Sequence, residues 1–88
     1  MKKKLTFHYF YAYWDDGAKE KYRVKEFCEA NKCIFNQIDC ETPEGVKESI
    51  KWGVKLLPQV IICADNKELF RIKGKNLLDK IVECFNKK

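Results

Sequence analysis

A chain of 88 residues has room for one domain and not for two, because a smaller unit would bury too little surface to offset the entropy of ordering its backbone. Hydrophobic residues make up 45% of the chain and aromatics 14%, enough for a packed core, which excludes a disordered segment. The net charge of +5 gathers in MKKK at the start and NKK at the end; elsewhere Lys and Arg alternate with Asp and Glu as on a solvated helix face, so no dedicated basic patch for nucleic acid is present.

The opening MKKKLTFHYFYAYW has the basic start and apolar run of a secretory signal, but no small-residue cleavage site follows, and Asp15 and Asp16 end the run abruptly. The β-formers from Leu5 to Tyr13 instead predict a central strand buried on both faces. Asp15 or Asp16 can cap a following helix with Val24, Phe27, Cys28 and Asn31 on its inner face. CIFNQIDC reads as a second strand. A second helix follows, with Thr42 as N-cap, Pro43 at its first position, Val46 and Ile50 one turn apart, and Gly53 past its end. QVIICA is a short, β-branched apolar run and predicts a third strand; ADNKE is a turn; ELFRIK predicts a fourth strand, at an edge. Gly74 and Asn76 open a last helix, with Leu77, Leu78, Ile81, Val82 and Phe85 in one apolar stripe. No stretch reaches the length needed to span a membrane.

Five cysteines, Cys28, Cys33, Cys40, Cys63 and Cys84, contain no C-x-x-C pair, and the single histidine, His8, lies far from them in sequence. An odd set without close ligand pairs suits neither a zinc site nor a secreted disulfide framework. Reduced thiols in a cytoplasm are the expectation, packed mostly as small hydrophobes.

The element order β-α-β-α-β-β-α predicts an α/β fold with a four-stranded mixed sheet flanked by three helices: a parallel β-α-β unit, then an antiparallel hairpin. Specific stretches add to it. FYAYWDDGAK resembles the thioredoxin active-site stretch, with Phe10, Ala12, Trp14 and Lys19 in register. KWGVKLLPQVII resembles the stretch that ends in the cis-proline of the family, here Pro58, and Gly74 follows at the spacing of its later glycine. The chain is thus similar over nearly its whole length to a minimal thioredoxin-like or glutaredoxin-like domain, residues 1–88 forming one unit.

The resemblance implies a substrate-binding surface at Trp14, Asp15, Asp16, Leu57, Pro58 and Gly74, with the Leu57 backbone open to an extended peptide. It also implies that the two active cysteines of the family are replaced by Asp15 and Ala18, and its buried acid by Tyr9. A carboxylate cannot form the mixed disulfide of thiol exchange. Read as structure, Asp15 and Asp16 are helix caps; read as function, they recognise a basic peptide or a cation. Adjacent carboxylates seldom both face one substrate, so paired acid/base chemistry is not expected.

The implied function is a redox-inactive binding or adaptor domain for a protein or extended peptide. It would act as a monomer without cofactor or metal, with nucleic acid and membrane not expected as partners. The alternative is a noncanonical oxidoreductase or glutathione-dependent protein using an exposed thiol. Cys33, in the loop ANKC, is the first candidate, because Cys28, Cys63 and Cys84 sit on apolar faces.

Overall fold

A computed structural model of the chain describes residues 4–12 and 17–86, without the side chains of residues 17 and 18. The predicted central strand is β1, Leu5–Tyr11; Ala12 has left the ladder, and Tyr13 lies outside the described residues, as does the expected cap at Asp15 or Asp16. The chain continues through α1 (Gly17–Ala30), β2 (Ile34–Asp39), α2 (Pro43–Trp52), β3 (Gln59–Ala64), β4 (Lys67–Lys73) and α3 (Leu77–Asn86). The sheet order is β2-β1-β3-β4, with β1 parallel to β2 and antiparallel to β3, and β4 antiparallel to β3 at the edge. Asp65 and Asn66, at φ 52° and 66°, make the two-residue turn between β3 and β4, the left-handed geometry that matches strand twist.

Alternation along β1 divides the core in two. Phe7, Tyr9 and Tyr11 face one side with Val60, Ile62 and Ile72, where Val24 and Cys28 of α1 and Leu77 and Ile81 of α3 cover them. Phe10 faces the other side with Ile38, Ile61 and Cys63, and there Trp52 of α2 is the large side chain laid over the sheet.

Local chemistry fixes α2 at both ends. Thr42 Oγ1 accepts from Gly45 N at 3.0 Å, and Gly53 closes the helix at φ 68°, donating to Ile50 O. Gly45 is buried against the Asp39 carbonyl so closely that a β-carbon there would collide with it.

Val46 and Ile50 lie on the outer side of α2, 43% and 74% exposed, because α2 turns Gly45 and Trp52 inward. Three expectations are corrected. Asn31 is exposed beyond α1, where its amide Nδ2 donates to Phe27 O at 2.8 Å. Val82 lies at the exposed margin of the α3 stripe. Cys84 is half-buried rather than sealed in the core.

Candidate functional site

Strand register assembles one end of the sheet. Phe10 pairs with Gln59 and Gln59 with Lys73, so Ala12 after β1, Pro58 before β3 and Gly74 after β4 emerge together. Gly74 N donates to Pro58 O at 3.0 Å, joining the two segments. The Leu57–Pro58 bond is cis, Pro58 is buried, and Leu57 is half-buried against the cluster around Phe10 and Ile61. Gly74 has φ +91°, a backbone region that suits glycine, so the chain can turn away directly after its N–H has bonded Pro58.

Both flanking helices start at this end. Glu20, in the first turn of α1, reaches the first turn of α3: Oε2 accepts from Leu77 N at 3.2 Å and Oε1 from Leu78 N at 3.3 Å. One carboxylate thus satisfies two of the amides that a helix start leaves without intrahelical acceptors, and opposes the positive end of its dipole. Beside it, Lys21 Nζ lies 3.4 Å from the Tyr11 hydroxyl and 4.7 Å and 5.1 Å from the ring centroids of Tyr11 and Tyr22.

A second network holds the loop before Pro58. Arg71 grips Glu68 with two parallel bonds of 2.9 Å, Nε to Oε2 and Nη2 to Oε1. With the Gln59 amide oriented by its surroundings, Gln59 Oε1 accepts from Arg71 Nη1 at 3.3 Å and Nε2 donates to Leu56 O at 3.1 Å. Gln59 is 2% exposed, so these are the bonds that satisfy a buried amide next to the proline.

Of the residues expected at the binding surface, Leu57, Pro58 and Gly74 are brought together, whereas Trp14, Asp15 and Asp16 lie outside the described residues. Tyr9, the position expected to correspond to the family's buried acid, is sealed in the core between Tyr11 and Phe35, at ring distances of 6.0 Å and 5.6 Å. Cys33 does not share this surface: it precedes Ile34, which pairs with Thr6 at the opposite end of β1. Burial pushes the Cys28 thiol up to about 12 and raises that of Cys63, so neither presents a ready thiolate to partners dissolved in water. Among the described residues no group of three or more His, Cys, Asp or Glu side chains could hold a metal ion, and no helix is long and apolar enough to cross a membrane. Glu20, Gln59 and Arg71 were not foreseen as parts of this end of the molecule. The sequence signal for Glu20 was present, an acid in a first helical turn, but its partner is 57 positions away.

No protein-family model matches the chain, and no curated protein sequence does. Solved structures do match. A thioredoxin of Fasciola hepatica superimposes with a TM-score of 0.79 at 22% identity, covering 99% of this chain and 84% of that one. The germline-specific thioredoxin Deadhead of Drosophila melanogaster gives 0.78 at 24% identity, covering 98% and 82%. Thioredoxin f of spinach chloroplast gives 0.81 at 19% identity, covering 96% and 69%. Identities this low carry architecture and not chemistry, and together with the sheet order and the paired ends of β1, β3 and β4 they establish that the chain has a thioredoxin-like α/β fold.

Proposed function

We propose that the chain is a redox-inactive binding or adaptor domain that takes a protein or extended peptide at the sheet end formed by Leu57, Pro58 and Gly74, with Trp14, Asp15 and Asp16 completing the surface. The observation that carries the reading is a juxtaposition: Pro58 and Gly74 are joined at 3.0 Å where β1 ends, while the sequence between Ala12 and Gly17, Tyr-Trp-Asp-Asp, contains no thiol. Disulfide exchange needs a thiolate at such a site, and a carboxylate cannot replace it. Two carboxylates beside an indole instead suit a segment carrying Lys or Arg, whose backbone would run alongside Leu57. The domain would work as a monomer in the cytoplasm, without cofactor.

Two measurements on the full chain test this. The protein should leave dithiol-driven insulin reduction at the rate of the protein-free control. In amide-resolved NMR titrations with short unstructured peptides, basic ones should shift the signals of Leu57 and Gly74 saturably and acidic ones should not. The double variant D15N/D16N should weaken that binding. Insulin reduction above the control, or shifts that bypass Leu57 and Gly74, would overturn the reading.

A further inference from the structure

The turn that ends α1 places two cysteines at the two ends of one backbone hydrogen bond, at the opposite pole of the sheet. Lys32 takes φ 58°, Lys32 N donates to Glu29 O at 3.4 Å, and Cys33 N donates to Cys28 O at 2.8 Å. This is the Schellman pattern, in which the side chains at the two ends of the longer bond meet over the turn. Here those residues are Cys28 and Cys33. Given the 2.8 Å bond, covalent lengths limit their Cα separation to about 6.7 Å. That lies within the range of about 4.4–6.8 Å that a disulfide spans.

The environments of the two thiols differ. Cys28 is fully buried in the cluster with Val24 and Ile81, while Cys33 is half-buried at the edge of that cluster, its Sγ donating to Asn31 O at 3.6 Å. Cys33 is also among the groups that, after burial itself, push the Cys28 thiol upward, as two close thiols should. An accessible thiol with a second, sheltered thiol adjoining it is the arrangement in which oxidation ends in a bond rather than in a sulfur oxyacid.

We propose that Cys28 and Cys33 are a peroxide-oxidisable pair that closes reversibly into an intramolecular disulfide. The Cys33 sulfur attacks one oxygen of the peroxide, the O–O bond breaks, and the leaving oxygen departs as water, leaving Cys33 as a sulfenic acid. The Cys28 sulfur then attacks the Cys33 sulfur, the S–O bond breaks, and a second water carries away the Cys28 proton. Two thiols lose two electrons and two protons, and one hydrogen peroxide becomes two waters. A dithiol reductant restores both thiols. The bond staples the end of α1 to the start of β2, at the pole away from Pro58 and Gly74, so it is independent of peptide binding there and adds no thiol chemistry to the surface proposed as redox-inactive.

The test treats the reduced full chain with one equivalent of hydrogen peroxide, alkylates the remaining thiols, and digests without reduction using trypsin and an aspartate-directed protease, which separate Cys33 from Cys40. The expected result is an intact mass lower by two hydrogens and a peptide of residues 26–32 linked to one of residues 33–38, both lost in Cys33→Ser. Cys28→Ala keeps a small apolar group in the core and should stop Cys33 at a sulfenic acid that dimedone captures. Cys28 bonded to any other cysteine, an intermolecular Cys33 dimer, a Cys33 sulfinic acid beside an alkylated Cys28, or no reaction at either thiol would each overturn the proposal.

Discussion

The carboxylate of Glu20 caps a helix that begins 57 residues later, accepting from the backbone of Leu77 at 3.2 Å while also reaching Leu78. The first turn of α1 is thereby fastened to the first turn of α3. Glu20→Ala should lower stability by about 1–2 kcal/mol, the usual cost of losing a helix-capping acceptor. Urea denaturation measures it, with exposed Glu29→Ala as a control that should change little.

Arg71 links Glu68 at the edge strand to buried Gln59 beside Pro58. Glu68→Ala removes a pair whose side chains are 38% and 27% exposed, worth about 1 kcal/mol or less. Arg71→Ala should cost more, about 1–3 kcal/mol, because it also leaves the Gln59 oxygen buried without its donor. Equal losses in the two variants would show that the Gln59 arm contributes nothing.

His8 stacks on Trp52 at 5.0 Å between ring centroids, and its Nδ1 lies 3.0 Å from Asn36 Nδ2, a contact that requires the neutral ring to accept there. Burial lowers the His8 pKa, Lys51 adds to the effect, and Glu48 opposes it. The unfolded chain therefore takes up the proton first as pH falls. The contribution of His8 is full above about pH 6.5 and is lost as pH drops through that value toward the lowered folded one. His8→Gln should show a shallower loss of stability on acidification across that window, and the two proteins should run parallel above it.

Gly45 permits α2 to start directly on the Asp39 carbonyl. Gly45→Ala would force a methyl into that backbone atom and should destabilise by about 1–3 kcal/mol, despite the better helix propensity of alanine. A higher midpoint of thermal unfolding for the variant would contradict the packing described for this junction.

The proposed correspondence of Asp15 and Ala18 with the family's two cysteines can be tested by placing thiols at both positions. In D15C/A18C, the two new cysteines should pair with each other under mild oxidation, and the pair should be mapped by peptide mass. If they stay separate while the domain remains folded, the alignment of Asp15 and Ala18 with the family's cysteines is wrong.

The sequence made legible what is decided locally. Thr42 and Gly53 mark the ends of α2 because caps act within one turn, and the apolar run QVIICA coincides with β3 residue for residue. The pairing of β1 with β2 followed from the handedness and length of a single crossover. Tertiary choices were not legible. The spacing of Val46 and Ile50 identifies a helix without saying whether anything covers that stripe, and the structure leaves both exposed. Likewise the Glu20 cap and the Gln59–Arg71 bond join residues whose partners lie on other elements, and no local pattern announces them. Pro58 and Gly74 were singled out through the family resemblance of their stretches, and register explains why they meet.

The central place of β1 has a further consequence for how the molecule assembles. Thr6 pairs with Ile34 on one side and with Cys63 on the other, so the strand made first has its neighbours delivered one after the other, the second only when β3 exists. Among the described residues the local hairpin is β3 with β4, and β4 sits at the sheet edge. Such non-local closure slows folding relative to helical domains of equal size. Until β3 is present, the flank of β1 that it covers has no strand partner, so the two halves of the sheet depend on each other for closure.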